Sequence, residues 1–99
     1  MMKIEKIGTI FAERELDGRN KGSPCKVVVR LGRPVPNEKD GSWCCPYSVT
    51  GPVGERLFYG AGVDSLQALR SAISNVGAEL KTLYSDLKLT WAGDEDLGF

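Results

Sequence analysis

The segment GVDSLQAL, residues 62–69, specifies the start of a helix and constrains the fold more than any other stretch of the chain. Asp64 can act as the N-cap, because its carboxylate can accept hydrogen bonds from the free backbone N–H groups of the first turn. Gln67, three positions later, can reach back and complete a capping box. The acidic side chain also faces the positive end of the helix dipole. This segment therefore predicts that a helix begins at Ser65.

Apolar residues recur behind this cap at alternating steps of three and four positions, which is typical of an amphipathic helix. They are Leu66, Leu69, Ile73, Val76, Leu80, Leu83 and Leu87, with Ala68 and Ala72 widening the stripe. A helix over residues 65–86 would be about 33 Å long, and its single apolar face predicts that it lies on a sheet. A coiled coil is the alternative, but the run is short and charge pairing beside it is sparse. Gly77 falls next to the stripe, and we interpret it as a point where the helix passes close to a strand.

Upstream of the helix the hydrophobic period changes to two, which indicates strands with one core face. The core positions are Cys25, Val27, Val29 and Leu31 in one strand and Trp43, Cys45, Tyr47 and Val49 in another. A strand over residues 9–16 is interrupted by Arg14, and one over residues 56–61 is ambiguous because Leu57 and Tyr59 oppose Phe58. We also expect a bend or bulge near Gly8, because Ile4 and Ile7 do not share a parity.

These elements predict a single α+β domain over residues 1–99 with the order β-β-β-β-α. The simplest topology is an antiparallel four-stranded meander with the helix across one face, and residues 89–91 can add a fifth strand. Turn-rich segments at residues 17–24, 33–42 and 51–55 separate the strands. Pro46 donates no ladder hydrogen bond, so either the ladder is broken there or the strand order is not sequential.

The charge balance and the hydropathy of the chain argue against two classes of partner. Thirteen basic and thirteen acidic side chains cancel, so there is no overall positive field to attract nucleic acid. No segment has the apolar length of a membrane span, and Lys3, Glu5 and Lys6 stand where a secretion signal needs an apolar run. We therefore expect a cytoplasmic protein that binds neither nucleic acid nor membrane.

The three cysteines lack the paired spacing of a metal site, and the chain has no histidine. Cys25 and Cys45 fall on the core parity of their strands, where a free cysteine is a small buried hydrophobe. Cys44 has the opposite parity and is predicted to be exposed, which makes it the one plausible reactive thiol. We expect no metal and no cofactor.

Other candidate site residues have a structural explanation as well as a functional one. Arg30 and Arg33 flank Gly32 and could clamp a phosphate or carboxylate, although we favour the simpler interpretation of a solvated strand end next to a loop. Asp64 and Gln67 could bind a ligand, but their spacing already fits capping. No residue is assigned a catalytic role.

The face of the sheet away from the helix is the candidate interface. Its apolar residues are Phe11, Val28, Pro46 and either Leu57 or Tyr59, mixed with charged and hydroxyl side chains. Apolar surface of this kind marks an interface unless the chain covers it, and the C-terminal segment with Trp91 and Phe99 is the internal alternative. We favour association, most simply as a two-fold homodimer.

Six segments carry a family resemblance over nearly the whole chain. They are AEREL (12–16), RLGRP (30–34), WCCPYSVTG (43–51), GVDSLQAL (62–69), LTW (89–91) and the terminal DLGF (96–99). On these segments the chain resembles a family of small uncharacterised bacterial proteins, a domain of unknown function. The resemblance implies a stand-alone cytoplasmic protein of about this length with no assigned reaction, cofactor or catalytic residue. Some families of this kind serve as immunity or accessory proteins.

Three function classes follow from these observations. The leading hypothesis is a non-enzymatic protein-binding module, of inhibitor or immunity type, that acts through a sheet face. The alternative is a small enzyme or accessory subunit that uses carboxylates or Cys44, which requires acidic residues brought together by the fold. The second alternative is a single-stranded nucleic-acid binder, for which aromatic and basic residues should interleave on one face.

Overall fold

The computed structural model describes residues 7–99 as an antiparallel sheet with an α-helix across one of its faces. The strands are β1 (Ile10–Asn20), β2 (Ser23–Gly32), β3 (Val35–Pro36), β4 (Trp43–Gly51) and β5 (Gly54–Gly62). The helix α1 spans Ser65–Leu83 and is followed by a 3₁₀ turn at Ser85–Leu87. The predicted α+β class, antiparallel sheet and C-terminal helix are confirmed, and the sheet has five strands.

β1 and β2 form a hairpin whose strands are longer than the sequence indicates. The predicted turn segment at residues 17–24 is wrong, because strand pairing continues through it as far as Asn20 and Ser23. Lys21 and Gly22 make the turn, with φ of 54° and 83°. Two central residues with positive φ are the mark of a type I′ turn, whose twist matches that of the paired strands.

A bulge lies at the start of β1. Its register with β2 shifts between Ile10 and Ala12, so Phe11 is the extra residue. The predicted irregularity is therefore present, but it lies within the strand and not at Gly8. Ile4, on which that prediction rests in part, lies outside the described residues.

Pro46 lies where β4 changes its partner on one edge. On one side of Pro46, β4 pairs with β2 from Tyr47 to Thr50, and on the other side it pairs with β3 at Trp43 and Cys44. The opposite edge of β4 pairs with β5 along its whole length. A residue that lacks an N–H is tolerated at such an interruption. The ladder is therefore broken locally, and β1, β2, β4 and β5 follow one another across the sheet.

The predicted cap of α1 is confirmed. Oδ1 of Asp64 accepts a hydrogen bond from the backbone N–H of Gln67 at 2.8 Å. The side chain of Gln67 accepts in turn from the N–H of Val63 at 2.7 Å, one residue before the cap itself. Local side-chain chemistry thus fixes where α1 begins, and ligand binding is not needed to explain either residue.

α1 packs on the sheet through its small residues and not through the centre of its leucine stripe. Its buried line is Ala68, Ala72, Val76 and Leu80. Leu66 and Leu83, which the pattern places in the core, are 66% and 37% exposed. The prediction is wrong for these two residues because the helix is rotated toward its alanines.

Two glycines of β5 account for that rotation. A Cβ placed on Gly60 would lie 2.6 Å from Cα of Ala72, and one on Gly62 would lie 2.7 Å from the carbonyl carbon of Gln67. These distances are shorter than van der Waals contact, so only glycine permits the helix to sit this close to the strand. The closest approach therefore needs small residues on both elements.

The C-terminal segment, residues 88–99, lies on the same side of the sheet as α1. Asp17 of β1 and Thr90 exchange backbone hydrogen bonds of 2.9 and 2.8 Å. The predicted strand at residues 89–91 is thus reduced to one bridge, and β3 is the fifth strand instead.

The aromatic end of this segment lies between α1 and β1. Cβ of Phe99 lies 3.1 Å from where a Cβ of Gly77 would be. The interpretation of Gly77 as a contact with a strand is therefore wrong, because the glycine faces the C-terminal segment. Leu89 and Leu97 pack against the core. Since the segment lies on the helix side, it does not cover the candidate interface on the other side.

The core lies between the sheet and this layer. Its largest fully buried side chains are Tyr47, Leu16, Val27, Val49 and Val76. Trp43 is half-buried against the same cluster, so the predicted core parity of β4 is confirmed. Across residues 7–99, α1 is not apolar enough over its length to cross a membrane.

Candidate functional site

Cys44 lies on the face away from α1, which we call the open face, but it is not exposed. Its side chain is 2% exposed, so the prediction of an accessible thiol is wrong. Cys44 pairs with β3 on one side and with β5 on the other, and strand parity alone does not predict its burial. Burial raises the pKa of the Cys44 thiol, and burial raises that of Cys45 to about 11. A higher pKa leaves less thiolate at neutral pH, so neither residue is suited to nucleophilic chemistry.

The β1–β2 half of the open face is a field of exposed ion pairs. Lys26 Nζ contacts the carboxylate of Asp17 and lies 3.4 Å from Oε1 of Glu15. Arg30 Nε donates to Oε2 of Glu13 at 2.6 Å. The acidic side chains of β1 are thus neutralised by β2, and no two of them are left to act as an acid and base pair. Exposed pairs of this kind add little stability.

The candidate interface residues do not share one environment. Phe11 is 53% exposed, whereas Val28 and Tyr59 are half-buried and Pro46 is buried. Part of this burial comes from Ile7, because a Cβ on Gly32 would lie 2.9 Å from both Ile7 Cγ1 and Pro46 Cγ. The centre of the open face is therefore not free apolar surface, and Phe11 is the member of the set that is accessible.

The proposed clamp of Arg30 and Arg33 is not preformed. Arg30 is engaged by Glu13 on the open face. Arg33 lies beyond the end of β2 with an exposed side chain, and its backbone N–H donates to the carbonyl of Thr9 at 2.9 Å. An anion at Arg30 would have to displace a carboxylate that already satisfies the guanidinium.

The accessible apolar side chains concentrate at one end of the molecule. β1 begins, β2 ends, β4 begins, β5 ends and α1 begins at this end, as the strand registers require. We call it the apolar end, and its members are Ile10 (46% exposed), Phe11 (53%), Val35 (42%), Val63 (77%) and Leu66 (66%). The sequence does not predict most of this set. Leu66 fits the apolar stripe of the helix, which predicts that it lies in the core, and Val63 lies next to the helix cap, where the sequence indicates no interface.

Arg14 holds the C-terminal segment on the helix side of the sheet. It lies on the helix side of β1, beneath the C-terminal segment, where the sequence shows only an interruption of the apolar parity. Its guanidinium stacks on the ring of Trp91 at 3.6 Å and lies 5.2 Å from the ring of Phe99. Its Nη1 donates to the carbonyl of Leu97 at 2.9 Å. Cation–π contact and a charge-assisted hydrogen bond thus hold the segment against β1.

Two cavities adjoin this arrangement. The smaller one measures about 160 Å³ and is lined by Ala12, Glu13, Arg14, Val29, Leu31, Ile73, Gly98 and Phe99. The larger one is a groove of about 810 Å³ between the second half of α1 and the C-terminal segment. Phe99 lines both of them. Within residues 7–99, no group of three or more cysteine, aspartate or glutamate side chains is arranged to hold a metal ion.

Glu79 is a carboxylate enclosed between α1 and the sheet. Its side chain is 16% exposed and accepts a hydrogen bond from Nε of Arg56. Burial, and then the nearby Glu79, raises the pKa of Tyr47. Glu79 lines neither of the two cavities, and its ion pair with Arg56 joins α1 to β5.

The fold and these surfaces define a small α+β protein whose sheet is backed by one helix and an aromatic C-terminal segment. The family model described as domain of unknown function (DUF6968) matches residues 12–99. The chain belongs to this family. No curated protein and no solved structure matches the chain.

Proposed function

We propose that this protein is a non-enzymatic protein-binding module that docks through its apolar end, and that a second copy of the chain is the partner. The observation that carries the proposal is the concentration of large exposed hydrophobic side chains at that end. Phe11, Val63 and Leu66 are each more than half exposed. Clusters of this kind on a small domain mark an interaction surface.

Self-association is favoured by the charge of the chain. Its net charge is zero, so two copies approach each other without long-range repulsion. A two-fold axis at the apolar end would bring the same side chains of both copies together, as an isologous interface requires. Side chains of β4, β5 and α1 behind this surface are buried, so the docking surface has a rigid support.

The test is the mass of the protein in solution, measured by light scattering at about 100 µM. We expect twice the chain mass of 10.8 kDa. A monomer at this concentration contradicts self-association, because a specific dimer with micromolar affinity is largely assembled there.

Two valines form a matched pair that locates the interface. Val63 at the apolar end is 77% exposed, and Val53 in the β4–β5 turn at the opposite end is 70% exposed. We expect Val63→Asp to give a monomer and Val53→Asp to leave the dimer intact. A dimer that survives Val63→Asp and Leu66→Glu would contradict the assignment of the surface.

A further inference from the structure

Two strand cations, Arg14 and Arg19, form no ion pair within residues 7–99, and Arg14 is the one that is half-buried. Lys26 is paired with Asp17 and Glu15, Arg30 with Glu13, and Arg56 with Glu79. Within residues 7–99 the contacts of the Arg14 guanidinium are the Leu97 carbonyl and two aromatic rings. The side chain is half-buried, so its charge is partly removed from water without a counter-charge.

The guanidinium also has unused hydrogen-bonding capacity. Arginine carries several N–H donors in a planar fork that matches a carboxylate, and here one nitrogen, Nη1, donates to a carbonyl. Stacking on Trp91 fixes the plane of the group. A fixed and unpaired guanidinium is prepared to bind an anion in its plane at small entropic cost.

The cavity beside Arg14 limits what that anion can be. Apart from Arg14 and Glu13, its walls are the side chains of Ala12, Val29, Leu31, Ile73 and Phe99 together with Gly98. The carboxylate of Glu13 is held by Arg30 on the other side of the sheet. An apolar cavity of about 150 Å³ can hold a molecule the size of benzene, and this one measures about 160 Å³. Apolar walls disfavour a strongly hydrated ion such as phosphate.

We propose that this cavity is a binding site for a small aromatic monocarboxylate, with the carboxylate on Arg14 and the ring among Val29, Ile73 and Phe99. The site is separate from the apolar end, so it stands independently of the proposed self-association. A single aromatic ring matches the volume, and one negative charge matches the single cation. The ring of Phe99 offers a surface for aromatic contact.

The test is a titration of the protein with benzoate and phenylacetate, followed by methyl chemical shifts in two-dimensional NMR spectra. We expect saturable binding with a Kd below about 1 mM, and shifts concentrated at Val29, Leu31 and Ile73. Benzamide has the same shape without the charge, and it should bind at least about tenfold more weakly. No saturation by either carboxylate up to about 10 mM, or equal binding of benzamide, would overturn the proposal.

Two arginine variants test which guanidinium binds the carboxylate of benzoate. Arg14→Met should remove the preference for benzoate over benzamide, whereas Arg30→Met should keep it, since Arg30 lies on the open face. If Arg14→Met does not fold, Ile73→Trp replaces it, because the larger side chain fills the cavity and leaves Arg14 in place. Benzoate binding with unchanged affinity in Arg14→Met or in Ile73→Trp would overturn the assignment. Loss of benzoate binding in Arg30→Met would overturn it as well.

Discussion

The two halves of the layer that covers the sheet are packed by different means. Over β4 and β5, α1 lies in direct backbone contact, with Gly60 and Gly62 against Ala72 and Ala68. Over β1, the C-terminal segment is held by one backbone bridge, one side-chain hydrogen bond and the stack of Arg14 on Trp91. The helix half is packed without a gap at these glycines, while the segment half adjoins two cavities, both lined by Phe99.

This difference means that one half of the layer is rigid and the other half can open locally. Close packing of small residues makes the helix half intolerant of added volume. The segment half depends on a few polar and aromatic contacts, so it can open at a lower free energy. We therefore expect variants in the helix half to change global stability and variants in the segment half to change local opening.

Gly60→Val should produce the largest loss of stability. Its Cβ would overlap the backbone of Ala72, so α1 would have to leave the sheet. We expect a loss of about 4 kcal/mol or more in the free energy of unfolding, measured by urea denaturation. Gly41→Val serves as control, because a Cβ there meets no neighbouring atom, although its φ of 75° adds local strain. A loss at Gly60 no greater than that of the control would break the comparison.

Leu80→Ala should destabilise the protein by about 2–5 kcal/mol, as truncation of a buried leucine does. Leu80 is 3% exposed and is the last residue of the buried line of α1. Leu83→Ala is the control from the same stripe, and it should cost clearly less because that residue is 37% exposed and lies away from the apolar end. Equal losses in the free energy of unfolding in the two variants would show that the whole leucine stripe faces the core.

Arg14→Met should cost about 1 kcal/mol, a smaller effect confined to the segment half. The variant loses the hydrogen bond to Leu97 and the stack on Trp91, but it also relieves a half-buried charge. Arg30→Met should cost less, because Arg30 forms an exposed ion pair. Thermal denaturation of both variants checks the order, and a larger loss at Arg30 would contradict the role given to Arg14.

The features that the sequence predicts correctly are local in the chain. The cap of Asp64 and Gln67 involves residues three positions apart, and the strand parity of β4 is a short repeat. Pro46 restricts its own surroundings, so a break in the ladder can be anticipated from it alone.

The features that the sequence does not predict depend on contacts between distant residues. Leu66 fits the stripe, yet the glycines of β5 decide which side of α1 faces the sheet. Arg14 interrupts an apolar pattern, and its role becomes visible when Trp91 and Leu97 are placed beside it. Strand parity likewise fails for Cys44, which is 2% exposed although its parity places it on the open face.

Thiol labelling compares the helix half with the segment half without any substitution in the protein. Cys25 is half-buried beside Gly18, over which Leu89 lies, so it belongs to the segment half. Cys45 is 0% exposed beneath α1, and its pKa is raised to about 11 by burial. We expect mass spectrometry to find label on Cys25 under native conditions, while Cys45 reacts only on global unfolding. Labelling of Cys45 at the rate of Cys25 would contradict the difference between the halves.

Native-state hydrogen exchange tests the central claim most directly, because it measures the opening free energy of each half in the unmodified protein. The backbone N–H groups of Asp17 and Thr90 bond to each other's carbonyls, so their protection reports the C-terminal segment. The amides of Val76 and Leu80 report α1. We predict that Asp17 and Thr90 exchange through an opening at least about 1.5 kcal/mol below the global free energy, with little dependence on urea, whereas Val76 and Leu80 follow global unfolding. The same opening free energy and the same urea dependence at all four amides would contradict the account.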